Sequence, residues 1–132
     1  MSTLIDVANY LQAQVGSLTL GTNLFVGRMP DTPDTCVALY EYGGSAPTEV
    51  MGAPATPPLE NPRIQVATRD ASYASAETLA RSIWTALNGV LDETLTATRY
   101  NIISAIQSPF PLERDSADRV IFVQNFDITK AY

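Results

Sequence analysis

The chain has 132 residues and a formal net charge of −6, which fits one domain built around one continuous core. Because nucleic-acid binders neutralise phosphates with Lys and Arg, this acidic balance argues against a surface that follows DNA or RNA. Charged residues form 17% of the chain, below the usual value of about 25%, and a surface poor in charge favours contact with other proteins.

Histidine, the side chain that enzymes most often use for acid–base chemistry, is missing from the sequence. The absence of histidine removes the commonest general base, the Ser–His and Cys–His nucleophile pairs and nitrogen-rich metal sites. No glycine-rich phosphate cradle follows a predicted strand. The single cysteine, Cys36, lies in an apolar run and is interpreted as a small buried residue. We therefore expect no enzymatic activity, no cofactor and no metal ion.

Nothing in the sequence predicts secretion or membrane insertion. Residues 1–6 lack a basic start and an apolar run, and no stretch approaches the roughly 20 apolar residues that a bilayer requires. We expect the protein to be made and kept in a cytoplasm, without membrane contact.

In chain order, the first predicted element is a helix with one apolar stripe, ended by Gly16. Ser2 or Thr3 can cap this helix, and Asp6 follows Thr3 at capping-box spacing. The stripe consists of Leu4, Val7, Ala8, Leu11 and Val15.

Two strands are expected next, over residues 24–29 and 35–42, paired antiparallel around a turn at residues 30–34. Residues 43–62 then contain three glycines and five prolines, too many for the interior of a sheet or helix. We interpret this stretch as a long functional loop or a partly disordered one.

A strand over residues 63–69 passes directly into a helix that begins near Ser72 and ends at Gly89. The strand alternates between an apolar face and a face with Arg63 and Arg69. The helix repeats apolar residues at helical spacing, and we expect Tyr73 and Trp84 to pack on the core. The apolar set of the helix is Tyr73, Ala76, Leu79, Ala80, Ile83, Leu87 and Val90.

Residues 91–98 either extend the helix irregularly or form a connecting loop. After them we expect a strand at 100–107, a connector at 110–118 and a last strand at 119–129. The fold class is α+β, a two-layer sandwich in which two helices pack on one face of a mixed sheet of about five strands. The strand–helix–strand passage forms a right-handed crossover if its two strands are parallel.

Three groups of charged residues are candidates for binding. Asp31 with Asp34, and Asp115 with Asp118, could each hold Ca²⁺ or Mg²⁺, although neither has the ligand spacing of a dedicated loop and turn formation is the favoured interpretation. Arg63 and Arg69 could bind an anion. The favoured alternative is that these arginines lie over the sheet or pair with acidic residues on a neighbouring strand.

Three segments carry a family resemblance. They are the ordered set Pro62, Ile64, Gln65, Val66, Arg69, Tyr73 and Ala76 followed by Leu79, Ile83 and Leu87, the strand and glycine turn at 33–44, and the closing strand at 119–126. Together they resemble the small tail terminator proteins of long-tailed bacteriophages, a family of siphophage minor capsid proteins. The resemblance covers most of residues 1–132 and implies one tail-terminator-like domain with a long Pro/Gly-rich loop at 43–62.

This resemblance implies a non-enzymatic virion protein made in the host bacterial cytoplasm. Such proteins form a homo-oligomeric ring, usually a hexamer, that caps the head-proximal end of the tail, stops tail-tube polymerisation and joins tail to head. The implied partners are the tail tube protein and a head-completion or connector protein, with genomic DNA passing through the lumen without specific binding. The residues expected at subunit or partner interfaces are Tyr42, Glu49, Val50, Met51, Leu59, Arg63 and Arg69.

Two alternatives remain open. One is a head-completion or tail-tube component of the same virion. The other is a small ligand-binding or enzymatic α+β domain that uses Arg63, Arg69 and carboxylates in a cleft over the sheet.

Overall fold

The computed structural model describes residues 3–48 and 58–131. These residues form two helices and seven strands, so the expectation of about five strands is wrong, while the α+β class is confirmed. The two extra strands lie in the ambiguous stretch at 91–98 and in the expected connector at 110–118. In chain order the elements are α1 (Thr3–Gln14), β1 (Leu24–Val26), β2 (Cys36–Thr48), β3 (Leu59–Asp70), α2 (Tyr73–Leu87), β4 (Val90–Leu95), β5 (Thr98–Ala105), β6 (Phe110–Arg114) and β7 (Val120–Ala131).

The strands form one mixed sheet, curled into a half-barrel, in the order β1-β2-β3-β7-β5-β4. The expected antiparallel pairing of the first two strands is wrong, because β1 pairs β2 in parallel, with Leu24 opposite Val37 and Val26 opposite Leu39. Residues 27–35 bring the chain back to the starting end of β1 before β2 begins. Strands β3 and β5 are both antiparallel to β7 and therefore parallel to each other, as a crossover through α2 requires.

Strands β5 and β6 occupy the same edge of β7. β6 lies opposite residues 120–123 and β5 lies opposite residues 126–130. The first half of β7 is buried on both faces, since Val120 packs with α2 on one face and Val123, opposite Phe110 of β6, is buried on the other, while Asp127, further along, is exposed.

Both helices pack on one face of the sheet, as the sequence predicts, and share a single large core with it. A smaller cluster joins α2 to the first half of β7 through Ala76, Ala80, Val120 and Phe122. Side chains central to the large core are Val7 and Leu11 from α1, Ile83 and Leu87 from α2, and Val37, Leu39, Ile64, Val66, Phe126 and Ile128 from the sheet.

The ends of α2 follow the predicted signals. The Ser72 side chain accepts a hydrogen bond from the Ser75 N–H at 3.4 Å, and Gly89, with a φ of +87°, follows the final cap. The capping interpretation of Asp6 is not what the structure shows. The Asp6 carboxylate is buried and accepts a hydrogen bond from the Tyr100 hydroxyl at 2.9 Å.

Within the predicted loop at 43–62, residues 43–48 and 59–62 are strand, and residues 49–57 lie outside the described residues. β2 continues to Thr48 and β3 starts at Leu59, and the two strands pair as far as those residues. Register shifts in this pairing absorb the glycines. At Gly44, whose φ is +146°, an added Cβ would lie 2.1 Å from the Asn61 carbonyl oxygen, so only glycine fits there.

Candidate interaction surface

One candidate interaction surface is the extension of the β2–β3 hairpin, which we call the arm and define as residues 42–48 with 59–63. Strand β1 pairs only with residues 37–39 of β2, so the outer edge of β2 beyond Tyr40 has no strand partner among the described residues. Residues 41–47 are exposed. The backbone groups along such an edge are free to pair with another chain.

Four of the predicted interface residues are among the described residues. Tyr42, Leu59 and Arg63 lie on the arm, and Arg69 lies further along β3. Tyr42 is 42% exposed and Leu59, opposite Ala131, is half-buried at the start of β3. Arg63 lies on the sheet face opposite the helices, which we call the open face, and Arg69 lies further along that face. Glu49, Val50 and Met51 lie outside the described residues, and the interface role of the whole set stays a prediction.

Polar cross-strand pairs between β3 and β7 cover the middle of the open face. The Arg63 guanidinium donates from Nε to Asp127 Oδ1 at 2.5 Å. Gln65 with Asn125 and Thr129 with Asn61 form the other two pairs, at 3.2 and 3.1 Å. Arg63 therefore pairs with an acidic residue on the neighbouring strand, which is the favoured alternative from the sequence.

Tyr42 lies beside this Arg63–Asp127 pair. Burial raises the pKa of the Tyr42 hydroxyl, the Arg63 charge opposes the rise and the Asp127 charge adds to it. Two residues predicted from the sequence to serve an interface are thus neighbours, one on the arm and one at its base.

Apolar side chains extend the open face towards the other edge of the sheet. Leu91 on β4 is 67% exposed and lies opposite Ile102 on β5, which is also exposed. Exposed Phe110 and Leu112 follow on β6. A sheet face that joins polar pairs to uncovered apolar side chains resembles the mixed surface of protein–protein interfaces.

Arg69 is buried and takes no part in this exposed surface. Its guanidinium donates to the backbone carbonyls of Asp31, Pro33 and Asp34 at distances between 2.6 and 3.3 Å. The side chain therefore fastens the 31–34 turn to the sheet.

A second buried arginine, Arg119, which the sequence analysis does not single out, holds the same turn. It pairs with Asp31 at 2.9 Å, Asp34 at 3.1 Å and Asp115 at 2.8 Å. The two aspartate turns considered as cation sites thus meet around a guanidinium. In residues 3–48 and 58–131, no group of three or more His, Cys, Asp or Glu side chains is arranged to hold a metal ion.

Cys36, Tyr73 and Trp84 take structural positions. Cys36 is fully buried, and burial raises the pKa of its thiol while Arg69 and Arg119 oppose the rise. The Trp84 indole donates to the Gln107 carbonyl at 3.3 Å. Tyr73 packs edge-on against Phe122, with 5.0 Å between ring centroids, yet remains 46% exposed.

The aspartate–Arg119 cluster predicts a defined response to acid. The hydrogen bond from the backbone N–H of Arg119, with others from Ala117 and the guanidinium, holds the pKa of Asp115 below its ordinary value of 3.8. A carboxyl with a lowered pKa in the folded state stabilises the fold above its ordinary pKa and loses that effect as the pH falls.

We therefore expect Asp115→Asn to melt at a lower temperature than the original protein at pH 7. This difference should shrink as the pH falls below about 3.8. Asp118→Asn is the matched control, because the Asp118 side chain is 86% exposed and its φ of +61° suits asparagine. Thermal melts between pH 7 and pH 3 test this, and a constant difference between the two Asp115 forms would contradict it.

The family of bacteriophage tail terminator proteins matches residues 10–132. A chain from the virion of a native gene transfer agent particle has a TM-score of 0.68, with 21% identity over 99% of this chain and 96% of that one. A second solved structure has a TM-score of 0.55, with 15% identity over 97% and 96% of the two chains. No curated protein matches the chain.

These findings define the class of the protein as a structural component of a bacteriophage. More narrowly, the chain belongs to the bacteriophage tail terminator family. Both solved structures share less than 25% identity with the chain, so they show its fold alone. Among the described helices, none has the length and apolar character needed to cross a bilayer.

Proposed function

We propose that this protein forms a homo-oligomeric ring, a hexamer, at the head-proximal end of the phage tail. There it stops polymerisation of the tail tube and joins the tail to the head. The observation that carries the proposal is the match to the tail terminator family over residues 10–132. The likeness in fold to a chain of a gene transfer agent virion supports it.

The shape of the subunit suits a head-to-tail ring. A ring of identical subunits needs two different, complementary surfaces on each copy. The described residues provide several: the arm, with its free β2 edge, the exposed apolar residues towards β4, and β4 itself as the edge strand at the far side of the sheet. Contacts between unlike surfaces continue from copy to copy until the ring closes.

The charge of the chain suits a ring through which DNA passes. With a net charge of −6, the subunit repels phosphates overall, so the genome can move through the lumen without specific binding. The faces above and below the ring then contact the tail tube protein and the head-completion or connector protein.

Assembly of the purified protein tests this proposal. Size-exclusion chromatography over a range of concentrations, followed by negative-stain microscopy, should show a monomer that converts to closed rings as concentration rises. Adding purified tail tubes should place one ring at one end of each tube. A protein that stays monomeric at all concentrations, alone and with tail tubes, would contradict the proposal.

A further inference from the structure

A polar groove runs between α1 and the edge strand β4, on the opposite edge of the sheet from β1. It has a volume of about 440 Å³. Asn9, Tyr10 and Gln14 line one wall from α1, and Glu93 and Thr94 line the other from β4. Asp6 also lines it and is 1% exposed.

The Asp6 carboxylate has an incomplete set of partners. Its Oδ2 accepts a hydrogen bond from Tyr100, while its buried Oδ1 has no donor in residues 3–48 and 58–131. A buried carboxylate oxygen without a donor is costly, since a carboxylate normally accepts several hydrogen bonds. The groove beside Asp6 is the place from which a donor could come.

The groove is acidic, and its described lining residues include no cation. Glu93 is exposed on its rim, and its charge together with burial raises the pKa of the neighbouring Tyr10 hydroxyl. No described Lys or Arg lines the groove, and Lys130, which lies over the Tyr100 ring, pairs with Glu60 at 2.5 Å. The two carboxylates and the side-chain amides of Asn9 and Gln14 offer acceptors suited to a planar, donor-rich cation.

The chain contains few arginines that could supply such a group. Arg63, Arg99, Arg114 and Arg119 pair with aspartates, and Arg69 is buried against carbonyls. Arg28 and Arg81 are exposed and have no carboxylate partner among the described residues. Arg81 lines a groove with residues 14–16 at the carboxyl end of α1, where the helix dipole already attracts a cation.

We infer that the α1–β4 groove binds the Arg28 guanidinium of a second copy of this chain, donating to Asp6 Oδ1 and to Glu93. The inference rests on the proposed ring and names one contact within it. Arg28 follows β1, and β1 and β4 are the two edge strands of the sheet. A contact from the β1 edge of one copy to the β4 edge of the next joins unlike surfaces, which is the geometry that closes into a ring.

Charge exchange tests this contact. Arg28→Glu and Glu93→Arg should each raise the concentration at which half of the protein assembles by about tenfold or more, because each places like charges together. The double variant should recover part of the lost assembly, since the exchanged pair attracts again while Asp6 still repels the carboxylate at position 28. Asp6→Asn should weaken assembly as well, because it removes the buried charge with little change of shape.

Arg81→Glu is the matched control, with the same change of net charge on another exposed, unpaired arginine, and should leave assembly within about twofold of the original. If the original protein forms rings and Arg28→Glu assembles as well as Arg81→Glu, this contact is wrong while the proposed ring stands. The contact is equally wrong if the double variant assembles no better than the single ones. If Arg28→Glu forms normal rings and Glu93→Arg loses only tail or head attachment, another virion protein fills the groove. If the original protein forms no ring, the proposed function itself fails.

Discussion

Ile83→Asp should abolish folding. Ile83 is fully buried in the core that α1, α2 and the sheet share, and an aspartate there would place an unpaired carboxylate among apolar side chains. We expect a loss of about 4 kcal/mol or more, which approaches the whole stability of an ordinary small domain. Circular dichroism and thermal melts of the purified variant should show no cooperative transition.

Thr85→Asp is the matched control for this experiment. It introduces the same side chain two positions further along α2, where Thr85 is exposed, and should change the melting temperature only slightly. Phe122→Asp, on the sheet side of the smaller cluster, should fail to fold like Ile83→Asp. A soluble Ile83→Asp protein with a cooperative melt would show that the assigned buried face of α2 is wrong.

Replacing residues 49–58 by an Asn-Gly turn should preserve the monomer and prevent assembly. Thr48 and Leu59 are cross-strand partners, and a two-residue Asn-Gly turn suits the closure of a hairpin between them. The replaced segment contains Val50, Met51 and three prolines. We propose that its apolar residues contact the next subunit and that its prolines reduce the entropy lost on ordering.

The melting temperature of this shortened monomer should stay within about 2 °C of the original, the shift expected for a change of about 0.5 kcal/mol. Ring formation should be lost, and phages with the change should accumulate unjoined heads or tails of uncontrolled length. A second variant, Val50→Ser with Met51→Ser, keeps the length and should also weaken assembly. An unfolded shortened protein would make the segment part of the fold, and normal assembly by both variants would exclude it as a contact.

Periodicity predicted the parts of this fold in which one face of an element is buried. The apolar stripes of α1 and α2 and the alternation of β3 identified the core side chains, including Ile64, Val66 and Ile83, all of which are fully buried. The cap at Ser72 and the glycine at position 89 set the ends of α2 correctly. These signals are local, so a single sequence is enough to detect them.

The errors arose where pairing, not periodicity, decides the structure. All five residues of β6 are exposed, so no alternation marks that strand, and only its pairing with β7 defines it. The glycines and prolines of the arm mimic a loop, yet Pro47 lies on an edge strand and Gly44 at a close strand approach. Both features depend on contacts between distant parts of the chain.

The buried Arg119 cluster shows the same limit for the site residues. The aspartate turns at 31–34 and 115–118 are far apart in the sequence, and only the tertiary fold brings them together around one guanidinium. Similarly, Arg63 and Arg69 fall on the same face of β3 in the sequence pattern, but their surroundings in the structure differ. One pairs with Asp127 at the surface and the other is buried against a turn.

Locating this protein in the assembled phage is the most direct test of its proposed place at the head-proximal end of the tail. Intact virions, with this protein carrying an affinity tag, can be labelled with gold and imaged by electron microscopy. We expect label confined to the junction between head and tail, and label at one end only of free tails. Label along the tail tube, at the distal tip or over the capsid surface would contradict a terminator at the head-proximal end.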